Sequence, residues 1–109
     1  MIDDYSKIEY AILKELYECK KENLRVDLSA ISPERFHITD GYLLDIIEAL
    51  LEEGYIKGPL ITMSKTGRAV SRMYDIDITR EGIRYLNENA TMKRVYETMK
   101  EVRDWFPIF

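Results

Sequence analysis

Residues 39–86, TDGYLLDIIEALLEEGYIKGPLITMSKTGRAVSRMYDIDITREGIRYL, read as a helix, a two-stranded ribbon and a second helix. Thr39 is placed to cap the first of these. Leu43, Leu44, Ile46, Ile47, Leu50 and Leu51 then recur on one broad face when projected at about 100° per residue. Gly54 follows where a helix commonly ends on a left-handed residue. In the ribbon, Ser64-Lys65-Thr66-Gly67 is the expected turn, with Gly67 supplying the positive φ. Pro59 cannot donate to a strand ladder, so its strand is predicted to lie at an edge or to start after it. Tyr74, Ile76 and Ile78 alternate with Asp75 and Asp77 as in a half-buried strand. Thr79 caps a helix carrying Ile83, Tyr85 and Leu86.

Working outward, the residues ahead of Thr39 supply two helices. Ser6-Lys7-Ile8-Glu9 fits a capping box, with Tyr5 and Tyr10 positioned as a hydrophobic staple. Ile8, Ile12, Leu13, Leu16 and Cys19 continue at helical spacing. Arg25–Leu28 reads as a short extended strand. A short helix around 29–36 follows, with Ser32-Pro33-Glu34 as a good start and proline at the first helical position. His37-Ile38 is then a turn into the third helix. Downstream, a last helix runs from about Ala90 to Phe106, where Pro107 stops it. Its Met92, Val95, Met99, Val102 and Phe106 recur at coiled-coil spacing with Tyr96 alongside. The order predicts an α+β, mainly helical fold: one winged helix-turn-helix domain over 1–109, with a two- to three-stranded wing sheet and an added C-terminal helix.

Three segments, YAILKELYECK, LLEEGYIKG and IDITREGIRYLNENATMKRVYETMKEVRDWF, resemble the YjcQ family of small winged-helix proteins from Gram-positive bacteria and their phages. The resemblance implies a winged-helix fold and brings no catalytic residues with it.

Composition narrows the function. Nearly half the residues are apolar and a third are charged, as in ordinary soluble proteins. No apolar run approaches the ~20 residues of a membrane span. The acidic start MIDDYSKIEY lacks the features of a signal peptide, and the lone Cys19 suits a reducing cytoplasm. A metal site needs several converging ligands, whereas His37 and Cys19 are single and far apart, and Asp75 with Asp77 makes too few carboxylates for a calcium cage. His37 and Cys19 read as a turn histidine and a helix-face thiol. No nucleophile–base pair and no phosphate-cradling loop is visible. The chain is therefore expected to be non-enzymatic, without metal or cofactor.

Charge divides the chain. Up to Gly54 there are six basic residues against thirteen acidic; from Tyr55 onward there are ten against seven. Between Gly54 and Asp75 every charge is positive: Lys57, Lys65, Arg68 and Arg72. The third helix, which in a DNA-reading winged helix enters the major groove, shows Gly41, Tyr42, Asp45, Glu48, Ala49, Glu52 and Glu53 opposite its apolar face. Four carboxylates facing phosphates would cost several kcal/mol, roughly more than the 1–3 kcal/mol of one good base contact. The chain is thus expected to be a small transcriptional regulator that contacts double-stranded DNA through the wing cations, with Thr39 and Tyr42 at the positive end of the helix dipole as secondary contacts. The rival reading is a protein-interaction module whose acidic third helix binds a basic partner without touching DNA. The stripe from Met92 to Phe106 either packs on the first helix or forms a homodimer. The bulky WFPIF terminus needs cover in either case.

Overall fold

The structure is a computed structural model that describes residues 4–102, with side chains described over 5–97. Its helices and strands run α1 (Asp4–Lys21), α2 (Pro33–Phe36), α3 (Asp40–Glu52), β1 (Ile56–Lys57), β2 (Leu60–Ser64), β3 (Gly67–Ser71), β4 (Asp77–Ile78), α4 (Arg80–Glu88) and α5 (Ala90–Val102). Single 3-10 turns lie at Leu28–Ile31 and Met73–Asp75. The arrangement is α+β and mainly helical, a winged-helix-like order with a further helix at the C-terminal end.

The core is organised around α1. Ile8, Tyr10, Ala11, Ile12, Leu13 and Leu16 are all buried, an arc wider than one amphipathic stripe. Its width follows from the neighbours, because α3, α4, α5 and β4 all pack on α1. Each such Ile or Leu contributes up to about 1.5–3 kcal/mol of apolar burial. Ser6 is not at the helix start as expected: α1 already includes Asp4, so Ser6 lies inside the helix. The expected strand at Arg25–Leu28 is absent as well. Asp27 instead accepts the Ser29 N–H (2.9 Å) and caps the 3-10 turn that follows. A residue competing for local backbone hydrogen bonds favours a turn over a ladder.

The helix-turn-helix forms through side-chain caps. Ser32 accepts the Arg35 N–H with Pro33 at the first helical position, and α2 ends on His37 in the left-handed region, at φ 58°. The Thr39 hydroxyl accepts the Tyr42 N–H at 3.1 Å and starts α3. Leu43, Ile46, Ile47 and Leu50 of α3 face the core. Thr79 caps α4 by accepting the Gly82 N–H, and its own hydroxyl donates to the Gly54 carbonyl. Asn89 closes α4, while its side chain accepts the Met92 N–H at 3.2 Å, so α5 begins without a linker.

The wing has two storeys. In the inner one, β1 pairs antiparallel with β4, Ile56 opposite Ile78, and both side chains are buried. The outer one is the β2–β3 hairpin, from Leu60 opposite Ser71 to Ser64 opposite Gly67, and it is largely exposed. Gly67 takes φ 116° at the expected turn. Between the storeys Gly58, at φ 108°, lies against the Asp75 carbonyl, where no side chain would fit. The predicted alternation over Tyr74–Ile78 is only partly realised: Tyr74 is exposed in the 3-10 turn, whereas Ile76 and Ile78 are buried.

Candidate functional site

The expected contact surface is the outward side of α3 with the wing beside it. The hairpin leans on that helix. Arg68 of β3 reaches across with both arms of its guanidinium, one nitrogen 2.5 Å from Asp45 Oδ1 and the other 2.8 Å from Glu48 Oε1. Asp45 and Glu48 are one turn apart less a residue, so both point to the same side of α3. Arginine suits this bridge because its planar fork presents two donors at once. Hydrogen bonding to Asp45 first, then the charges of Asp45 and Glu48, push the Arg68 pKa above its ordinary value.

The other wing cations are placed differently. Lys57, Lys65 and Arg72 are exposed, and no ion pair is formed by any of them among the described residues. Lys65 is at the hairpin tip. Arg72 sits at its base with a left-handed backbone, φ 61°. Lys57 is opposite Asp77 in the inner ladder, but Asp77 is bridged by Lys20 of α1 at 3.0 Å. Arg68 is thus engaged by α3, while Lys57, Lys65 and Arg72 stand exposed on the inner strand, at the tip and at the base of the wing.

At the start of α3, Thr39 is exposed and its hydroxyl serves the helix cap. Tyr42 stacks obliquely on Tyr5 of α1, ring centres 6.0 Å apart. Both expected contacts at this end therefore carry structural duties. Glu52 and Glu53 are exposed at the other end of the same face.

Two apolar grooves flank the Arg68 bridge, and they were not anticipated. One, of about 380 Å³, opens between the segment 28–33, α3 and β3, with Leu28, Ile31, Leu44, Val70 and Met73 in its walls. The other is shallower and runs beside Leu51, Pro59, Leu60 and Ile61, with Glu48 and Glu52 at its edge. Leu28, Leu60 and Val70 stay substantially exposed, and Met63 on the hairpin is 74% exposed. The sequence signal was the run of apolar residues in the hairpin, whose outward placement depends on how far the wing stands from the body.

Among the described residues no group of three or more His, Cys, Asp or Glu is arranged to hold a metal ion. Cys19 lines a polar cleft at the end of α1, and burial, reinforced by Glu15, Glu22 and Glu18, pushes its thiol pKa up, away from reactivity. His37 is exposed at the α2–α3 turn. No described helix is long and apolar enough to cross a membrane.

The C-terminal stripe divides at its middle. Met92 and Tyr96 are buried, Val95 is half-buried, and the Tyr96 ring lies 5.6 Å from that of Tyr10 on α1. This first part packs within the domain. The side chains of Met99 and Val102, and the whole of Phe106 and WFPIF, lie outside the described residues.

A comparison with protein families matches YjcQ, described as "YjcQ protein", over residues 10–105. The protein named "Uncharacterized protein YjcQ" from Bacillus subtilis (strain 168) is 31% identical over 101 residues, covering 91% of this chain and 94% of that protein. No solved structure matches the chain.

Proposed function

The chain belongs to the YjcQ family, and we propose that this member is a non-enzymatic binding module that works through protein contact, using the α3–wing surface. The observation that carries the reading is the seat of Arg68 on Asp45 and Glu48. It engages the central wing cation with carboxylates, which favours a structural duty for it over phosphate contact. It also makes α3 a helix whose outward carboxylates already receive a guanidinium, so their spacing suits a basic partner. Glu52 and Glu53 extend the same acidic face. A homodimer through the C-terminal helix belongs to the same proposal.

A second reading has its own observation. Lys57, Lys65 and Arg72 are exposed and form no ion pair among the described residues, so a wing-led contact with duplex DNA would use them, modest in affinity and sensitive to salt. One titration separates the two. Generic duplex DNA is added at low and moderate salt, beside a lysine-rich peptide, to wild type and to two variants, Lys65→Ala/Arg72→Ala and Glu52→Lys/Glu53→Lys. The protein-contact reading expects peptide binding that the second variant weakens, and no DNA binding. DNA binding at low salt that the first variant abolishes would replace it with the wing-led reading.

A further inference from the structure

The larger groove between the segment 28–33, α3 and β3 has the character of a recognition site with its polar duties already settled. Its volume, about 380 Å³, is at the low end of the roughly 300–1,000 Å³ typical of ligand pockets. A small-molecule site also needs a few convergent polar groups to orient its ligand. Here the Ser32 hydroxyl is used by the Arg35 N–H and the Ser29 carbonyl, and Arg68 is held by α3. Asp40 is the remaining charged group in the lining, and it is exposed. The walls are otherwise apolar, and Leu28 and Val70 at the edge are 40% and 36% exposed. In the lining itself Asp40 and Arg68 balance, but Asp45 and Glu48, which hold Arg68 from beside the groove, leave the surrounding α3 surface net negative.

We propose that this groove docks a basic amphipathic protein segment, with apolar side chains entering between Leu28, Leu44 and Val70 and a lysine or arginine beside them against Asp40. The proposal rests on the protein-contact reading and gives that contact its place and its chemistry. A segment with anchors one turn apart would fill such a groove in the helix-in-groove manner, the apolar residues supplying affinity and the flanking cations orientation. Arg68 has a supporting part, because its bridge holds β3, one wall of the groove, against α3.

The test uses the full chain and three synthetic peptides of equal length: an amphipathic leucine–lysine peptide, its leucine–glutamate counterpart, and a serine–lysine peptide without apolar anchors. Binding is followed by fluorescence anisotropy and located by amide chemical shifts. Val70→Asp and Leu28→Asp change exposed positions, so folding survives, and circular dichroism verifies it. The expected result is that the leucine–lysine peptide binds and shifts Leu44, Val70 and Met73. Each Asp variant should weaken it by about tenfold or more, and Asp40→Lys should weaken it as well. Equal binding of the serine–lysine peptide, or binding untouched by both Asp variants, overturns the groove and leaves the acidic face as the contact. Equal binding of the leucine–glutamate peptide overturns the charge argument and the proposal with it. A wild-type dimer that Val70→Asp breaks assigns the groove to a second copy, which also overturns it. Failure of every peptide to bind removes the proposal and the protein-contact reading together.

Discussion

Single residues in this chain are chosen by what their backbones and rings touch. Gly82 opens α4 so close to β1 and β4 that a Cβ would collide with the Tyr55 carbonyl and the Ile78 side chain. Alanine would raise helix propensity by about 1 kcal/mol, yet a backbone carbonyl cannot yield as a flexible side chain can. Gly82→Ala is therefore expected to destabilise by about 1–3 kcal/mol, seen as a lower urea midpoint at unchanged slope. A stability equal to or above wild type would contradict the packing described. Tyr10 offers a test through pH. Burial, with help from Glu97, pushes its phenol up to about 12 from an ordinary 10. A raised pKa means that the folded state holds the proton more tightly, so the contribution is complete below pH 10 and lost as pH rises toward 12. The thermal midpoint should fall over that window, and Tyr10→Phe should flatten the part of the fall that Tyr10 causes. A wild-type midpoint constant across the window would show that the phenol is not so enclosed.

At the scale of elements, the wing is two structures of different firmness. The inner β1–β4 pair is locked by Ile56 and Ile78, whereas the outer hairpin has little buried surface and is fastened to α3 by Arg68. Surface ion pairs contribute little to global stability as a rule. Local opening is more sensitive, because free energies of opening differ across one fold. Arg68→Ala should thus quicken amide hydrogen exchange across Leu60–Ser71 and leave the exchange of α1 and the global unfolding midpoint close to wild type. High salt should reproduce part of the change in the wild-type protein. Unchanged exchange in the hairpin would mean that the packing of Ile61 on the core holds it without the ion pair. The hairpin, its turn at Ser64–Gly67 and the caps at Ser32, Thr39 and Thr79 were legible, since each depends on neighbours a few residues away. Ser6 and Arg25–Leu28 depart from expectation for a related reason: a cap motif also occurs inside longer helices, and Asp27 turns the chain locally before a strand can pair.

For the whole molecule, α1 at the centre and the packing of α5 against it set the question of assembly. Met92 and Tyr96 are already buried against the body, so the proposed homodimer would rest on the later part of the stripe, Met99, Val102 and Phe106. Light scattering at high micromolar concentration is expected to give a dimeric mass that Met99→Glu lowers to a monomer. A monomeric wild type would end the dimer. The sequence by itself determined the order of helices and wing, the helix-turn-helix caps and the core face of α3, because periodicity, capping and turn chemistry act over a few residues. Only the tertiary structure decided that Arg68 belongs to Asp45 and Glu48, that Tyr42 leans on Tyr5, and that an apolar groove opens beside α3. Those pairings join residues far apart in the chain, and their geometry exists only once α1 has gathered the other elements around it. A helix that reads as four unpartnered carboxylates thereby becomes a helix holding the wing in place.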